Sequence, residues 1–435
     1  MNQPQINIGI IASFIIEFRL NGVYKLLENN TLYTGENIVT WQNGQILFDE
    51  KSYSSLSFIP LYYETTSFDL KNVSIGIQFH WERTEEQTFK GSLRFIPEGE
   101  NIRAINSLPV EDYLESVISS EMSATSSFQL LKAHAVISRS WLLAQLKKKE
   151  LIGKENEQYN SSFISDEKII RWYDREDHVH FDVCADDHCQ RYQGITKVST
   201  LLVKEAIQET FGEVLTAENE ICDARFSKCC GGITEEFENC WEPKHFSYLS
   251  AVFCNETPGK LTSFENWILS SPPAFCNTQD KKILTQVLNN YDRETHDFYR
   301  WTVEYTQLEL SQLIAKKTNI DFGDIIDLIP EERGKSGRIV QLLIIGTKKQ
   351  LHVGKELEIR KILSKSHLYS SAFVVEKKNI IDGVPQNFVL RGAGWGHGVG
   401  LCQIGAVMMA EKGYDYRNIL SHYFQEASIE KLYTK

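Results

Sequence analysis

Glu121 is the first residue in this chain whose setting suggests chemistry. It stands at the junction of two predicted helices. Val110, Leu114, Val117 and Ile118 recur at helical spacing up to it, and Ser126, with Gln129 three residues on, opens a capping-box pattern for a longer helix through Leu146. A carboxylate at the C-terminal end of the first helix meets the negative end of the helix dipole, which disfavours its charge and suits a general acid. Most glutamates at helix ends are simply solvated, so position alone does not make this one catalytic. Asp112 and Glu115, earlier on the same helix, are the nearest candidates for a second carboxylate, which a two-carboxylate glycosidase would require.

A second group lies in HVHFDVCADDHC, where His178, His180, Cys184, His188 and Cys189 fall within twelve residues. Imidazole and thiolate together suit Zn²⁺, which takes four mixed nitrogen and sulfur ligands. The spacing is not that of a common zinc finger, so a disulfide or unbonded thiols remain alternatives. The third group is GAGWGHGVGLCQIGA near the C-terminus. Its five glycines from Gly392 to Gly400 imply a tightly folded loop, and its His397 and Cys402 are a ligand, proton-carrier or nucleophile pair by type. No third residue to orient such a pair is evident, and a packed loop histidine is the plainer reading.

The elements that position these groups read as α+β. Residues 6–110 are strand-rich, with INIGII, NIVTWQNGQILFD, VSIGIQFHW and GSLRFIPEGENIRAI as candidate strands, and the opening MNQPQINIGIIASFIIEFRL reads as a strand pair rather than a signal peptide or membrane span. Residues 40–88 suggest an accessory β subdomain. VSTLLVKEAIQETF reads as a helix, and CCGGIT as a tight turn in which Gly231 and Gly232 permit unusual backbone. FENWILSSPPAF reads as a connector, FYRWTVEYTQLELSQLIAKKT as a strand entering a helix near Thr306, and the GKSG turn lies between strands rather than in a phosphate-binding loop. The last helices are closed by Gly413 and begun at Asp415. The chain divides into residues 1–89, 90–256 and 257–435.

With 435 residues, 42% hydrophobic and 24% charged, the composition is that of a globular protein with a large core. A net charge of -12 argues against a broad nucleic-acid surface, and no transmembrane segment is visible. Nine cysteines is an odd number, so at least one lies outside any intrachain disulfide, and the pairing cannot be read from spacing.

YLESVISSEM followed by LLKAHAVISRSW, then CCGGIT, then GAGWGHGVGLCQIGA, resembles the motif series of the SpoIID/LytB family over roughly residues 90–433. The resemblance implies β-rich lobes around a central helical motif, forming a long substrate cleft. It implies cleavage of peptidoglycan glycan strands by a lytic transglycosylase with Glu121 as the single general acid and base. Glu121 would protonate the glycosidic oxygen after N-acetylmuramic acid, then take the proton from the C6 hydroxyl as a 1,6-anhydro ring closes. Arg139, Gln190, Tyr192, Arg360, His397 and Gln403 would contact substrate, and a structural Zn²⁺ would be held by His178, Cys184, His188 and Cys189, with His180 able to replace His178 and Asp186 or Asp187 behind them. The runner-up is a noncatalytic glycan-binding enhancer of a cell-wall amidase, with Trp141, Tyr192 and Trp395 as stacking surfaces. Either implies a cell-envelope location, periplasmic or extracellular, with no organic cofactor. Three positions depart from the family pattern: Ser119 replaces a proline, His134 a glutamine, and Cys402 a serine.

Overall fold

The computed structural model describes residues 3–76, 83–123, 126–152, 161–173, 178–186, 189–196, 199–257, 259, 261–287 and 297–434. The fold is mixed α+β, in two compact units. One comprises Met1–Glu150, Glu176–Val214 and Glu430–Lys435, and the other Leu151–Arg175 and Leu215–Ile429. The division differs from the three sequential blocks expected, because the chain leaves the first unit after the long helix, returns to it, and comes back again at the C-terminus.

The first unit is built on one sheet. Its strands are β1 (Gln5–Ser13), β2 (Ile15–Leu26), β3 (Leu32–Gln42), β4 (Gln45–Phe48), β5 (Lys51–Tyr53), β6 (Leu56–Pro60), β7 (Ser67–Ile75), β8 (Arg83–Phe89), β9 (Ser92–Glu98) and β10 (Asn101–Pro109). They run in the order β1-β10-β9-β6-β2-β3-β4-β5, with β7 paired to β2 and β8 to β7. Alternation buries Phe18, Phe58 and Phe95 on one face, where their rings meet edge-on or tilted at 5.0–6.2 Å. Two expectations are corrected here. β1 and β2 are strands but do not pair, since β1 lies against β10 and β2 against β3, β6 and β7. The strands of residues 40–88 are not a separate subdomain, because β6 pairs with β9 within the same sheet. The last residues of the candidate strand VSIGIQFHW lie outside the described residues.

From β10 the chain passes through Pro109, whose fixed φ of -61° and extended ψ lead into α1 (Val110–Glu121). The second helix, α2 (Phe128–Ile152), starts one residue later than its sequence pattern implied, with the Leu130 amide donating to Ser127 Oγ at 3.3 Å. A third, α3 (Leu201–Glu209), is capped by Thr200, which accepts from the Val203 amide.

These helices are joined by a buried ion pair. Arg139 of α2 is wholly inaccessible and donates through Nε and Nη2 to the two oxygens of Glu111 in the first turn of α1, at 2.9 and 2.6 Å. Tyr433 Oη and the Gly212 amide also donate to Glu111, while Arg139 Nη1 reaches the Glu213 carbonyl at 2.9 Å. Arg139 is therefore not a substrate contact, a correction of the expected role. Its charge is consumed in orienting α1. Substituting Glu111→Gln leaves a buried guanidinium without its counter-charge, so stability falls by about 3–5 kcal/mol in denaturant unfolding. The double change Glu111→Leu with Arg139→Met recovers much of that loss.

The second unit holds a five-stranded sheet, ordered Ser162–Ile164, Lys168–Arg171, Gln350–Gly354, Ile339–Gly346 and Ile325–Arg333. A three-stranded sheet of Arg300–Thr306, Val384–Ala393 and Phe373–Ile381 shares its core, which includes Trp301, Leu310, Leu342, Ile344, Ile359, Phe388 and Leu390. The helix expected near Thr306 is Gln307–Thr318, with a full capping box between Thr306 and Glu309. The stretch FENWILSSPPAF, expected as a connector, contains the short helix Phe264–Leu269, capped by Ser263.

Candidate active site and metal centre

Four acids lie on α1, and the structure gives them different fates. Glu111 is in the ion pair above. Asp112 accepts from Tyr63 Oη, and burial pushes its carboxyl above the usual range. Glu115 pairs with Lys204 at 3.2 Å. Asp112 and Glu115 line a cavity of about 290 Å³ together with Lys90, Ser116, Tyr192 and Lys204. Glu121 does not line it. At about 100° per residue, nine residues place Glu121 half a revolution from Asp112, so the two do not form a carboxylate pair across one substrate.

Glu121 ends α1, half-buried, and accepts a hydrogen bond from the Arg191 amide at 3.1 Å through Oε1. Among the described residues that amide is its hydrogen-bond partner. One carboxylate oxygen is thus held in place by main chain, while among the described residues the other has no side-chain claim on it.

The Arg191 amide is positioned by its neighbours. Tyr113 Oη donates to Gln190 Oε1 at 3.3 Å, and the Gln193 amide donates to Ser116 Oγ at 3.1 Å, so residues 190–193 lie along α1. Tyr192 stacks between Tyr113 and Phe89 at 5.3 and 5.8 Å and donates to Asn106 Oδ1 at 2.6 Å. Both Gln190 and Tyr192 are about 1% exposed. Gln190 is thus packed against Tyr113, Tyr192 borders the cavity beside Asp112 and Glu115, and Trp141 is buried.

Two residues before Arg191 comes the candidate metal centre. The ligand atoms of His178, Cys184 and Cys189 all lie within 4.8 Å of one another, and His178 Nε2 is 3.3 Å from Cys189 Sγ. His180 is exposed. His188 and Asp187 lie outside the described residues. The segment is fixed to the sheet by Val183–Cys184, which runs parallel to β1, and Gly9 of β1 is glycine because a Cβ there would meet the Phe181 ring at 2.6 Å. A borderline-soft cation fits this donor set of one imidazole and two thiols.

Residues 98–216, which include Glu121 and the three converging ligands, match the family described as Stage II sporulation protein. This span belongs to the SpoIID family. Residues 235–400 match a domain of unknown function, DUF8618. Along more of its length the chain is 24% identical to Stage II sporulation protein D of Bacillus subtilis over 331 residues, 76% of each chain. It is 24% identical to the Bacillus amyloliquefaciens protein of the same name over 328 residues, 75% of this chain and 76% of that one. An uncharacterized protein of Brachyspira hyodysenteriae is 26% identical over 341 residues, 78% of this chain and 72% of the relative.

Beyond the SpoIID span, in the second unit, the CCGGIT turn and the glycine-rich loop form one structure. Cys229 and Trp395 exchange main-chain hydrogen bonds at 3.1 and 2.7 Å, and Phe226–Ser227 pairs in parallel with Leu401–Cys402. Gly231 and Gly394 have positive φ and approach so closely that a Cβ on either would meet the other strand's backbone within 3 Å. Arg338, 1% exposed, ties both motifs, donating to the carbonyls of Gly396 and Cys230 at 3.0–3.2 Å. Glu235, wholly buried, accepts from Ser336 Oγ, the Ser336 and Lys335 amides and Asn239. Sequence reading missed Glu235 as an anchor. Its signal was the acid directly following the CCGGIT turn.

His397 is half-buried within this lattice. Its Nδ1 accepts from the Val399 amide at 3.0 Å, and its ring meets Trp241 edge-on at 4.8 Å. Gln403 is buried at the start of helix Gln403–Glu411, and Arg360 is committed to the Leu368 carbonyl and Glu356. Arg360 is half-buried at these partners.

Burial, then Arg225, Arg338 and Arg360, hold His397 well below the ordinary imidazole value; burial, then Arg360, Lys361 and Lys317, bring His367 down to about 4. Both bind protons more readily when unfolded, near 6.5. Their contribution to stability is complete above that value and is withdrawn as pH falls towards about 4. The thermal midpoint should therefore drop between about pH 7.5 and about pH 5, and the double variant His367→Gln/His397→Gln should show a smaller drop.

Proposed function

We propose that this chain is a peptidoglycan lytic transglycosylase with Glu121 as its general acid and base. SpoIID membership suggests a cell-wall related role. The observation that carries the finer reading is the contrast along α1 among the described residues: three of its acids are committed to side-chain partners, and Glu121 alone is held by a main-chain amide with an oxygen to spare. A single carboxylate suffices because the muramyl C6 hydroxyl replaces water as nucleophile. Glu121 gives its proton to the departing glycosidic oxygen, and the resulting carboxylate then receives the C6 hydroxyl proton as the anhydro ring closes.

His178, Cys184 and Cys189, with His188 as the fourth ligand expected from the sequence, would hold a Zn²⁺ whose role is bracing, since a closed four-ligand site leaves no position for substrate. Bound there, the ion supplies fixed geometry and no reaction step. The chain itself carries the consequence to Glu121, because Cys189 is two residues from the amide that holds the carboxylate.

Among the described residues no helix is long and apolar enough to cross a membrane. The site of action in this reading is the glycan of the cell envelope.

Purified peptidoglycan, with and without its peptides, treated with wild type and Glu121→Gln and analysed by intact mass, tests the reaction. Anhydromuramyl ends released by wild type and reduced about 10²-fold or more in the variant are expected. Reducing muramyl ends would indicate hydrolysis, and glycan binding without cleavage by either protein would favour the amidase-enhancer reading. A second experiment reads the brace: Cys184→Ser/Cys189→Ser should lose one equivalent of zinc relative to wild type, speed hydrogen exchange at the Arg191 amide and lower turnover. Unchanged exchange at Arg191 would separate the metal from Glu121.

A further inference from the structure

The second unit contains a cluster of thiols that neither the family resemblance nor any spacing rule assigns. Cys230, Cys254, Cys276 and Cys402 come from four separate stretches, yet their Sγ atoms all lie within 4.8 Å of one another. Cys230 and Cys276 are the pair at 3.6 Å. All four are at most 2% exposed, and no cysteine of the chain is in a disulfide. We propose that these four residues form a structural tetrahedral Zn²⁺ site that locks the CCGGIT turn to the C-terminal glycine-rich motif. The proposal does not depend on the reaction assigned to Glu121.

Geometry favours one small ion over the other occupants of a four-thiol set. Zinc–sulfur bonds of 2.3 Å in a tetrahedron place neighbouring sulfurs about 3.8 Å apart, which the 3.6 Å between Cys230 and Cys276 and the mutual separations within 4.8 Å accommodate. A four-iron cluster holds its thiolates on the outside of a cubane and needs a wider cage. Two disulfides would draw the sulfurs into pairs at about 2.05 Å, whereas these converge as a group of four. Buried thiols also serve as small hydrophobic residues, but that role does not require four of them to meet at one point.

The surroundings supply what a buried tetrathiolate needs. The Cys230 amide donates to Cys402 Sγ at 3.2 Å and the Gly232 amide to Cys230 Sγ at 3.4 Å, while Tyr423 Oη lies 3.2 Å from Cys254 Sγ. Such outer contacts orient ligand sulfurs and spread their charge. Cys402 is the N-cap of helix Gln403–Glu411, whose dipole favours a thiolate. Gly405, one turn in, faces the sulfurs so closely that a Cβ would meet Cys254 Sγ at 2.6 Å and Tyr423 Oη at 2.2 Å. Glycine weakens a helix interior, and here the sulfur cluster explains it.

Main chain arranges the ligands as well. The Cys254 amide donates to the Gly232 carbonyl at 2.9 Å, and the Phe275 amide to the Cys254 carbonyl at 2.7 Å, which brings the second and third ligands beside the first. Cys402, which stands where the SpoIID/LytB pattern has serine, is the fourth. A thiol is a poor substitute for serine as a hydrogen-bond donor but is the ligand this site lacks without it.

The test uses the full-length Cys184→Ser/Cys189→Ser protein, in which the other candidate centre is disabled. One equivalent of zinc, with an all-sulfur shell at about 2.3 Å by X-ray absorption, is expected, and Cys276→Ser on that background should abolish it. Iron in place of zinc, or no bound metal, would overturn the assignment. Should the background variant not fold, wild type answers through thiol counting: denatured with chelator and no reductant, all nine cysteines should alkylate, and recovery of disulfides among these four would contradict the site.

Discussion

The buried pair of Glu111 and Arg139 is the contact on which the first unit turns. Removing both charges from water is costly, and the structure offsets that cost by satisfying each group: Glu111 accepts from Arg139, Tyr433 and Gly212, and Arg139 also donates to main-chain carbonyls. The result ties the start of α1 to the middle of α2 and to the C-terminal residues. Since α1 is a rigid rod of twelve residues, fixing its first turn fixes the direction in which Glu121 leaves its last. A pair of this kind contributes more to placement than to net stability, and placement is what a single-carboxylate site needs.

A comparable device organises the second unit. Arg338 and Glu235 are buried, and each is satisfied by backbone and hydroxyl groups from sequence-distant loops. The glycines of the CCGGIT and GAGWGHGVG motifs are explained by this close approach of backbones. In both units a buried charge holds the scaffold, and Glu121 and His397 are half-buried against it.

Much of this was legible in the sequence. The strand-rich first hundred residues, α1 ending at Glu121, the Thr306 capping box and the Asp415 cap all follow from local patterns that the fold leaves intact. Pairing was not legible, because β1 finds its partner about a hundred residues away and alternation does not name a partner. Nor does sequence tell a paired arginine from a free one: Arg139 and Arg360 read as available charges until their carboxylates are located. The thiol cluster was hidden for a related reason, since its ligands span 172 residues from Cys230 to Cys402 and carry no local spacing signal.

The central claim is that Glu121 performs the chemistry while its neighbours on α1 build the site. It is tested most directly by comparing Glu111→Gln, Asp112→Asn, Glu115→Gln and Glu121→Gln for thermal midpoint and for anhydromuramyl product formed by the folded fraction. Glu121→Gln should be the one variant that loses product formation while keeping the wild-type midpoint. If Glu121→Gln retains wild-type turnover, or if Asp112→Asn or Glu115→Gln abolishes it without a change in midpoint, the account is wrong.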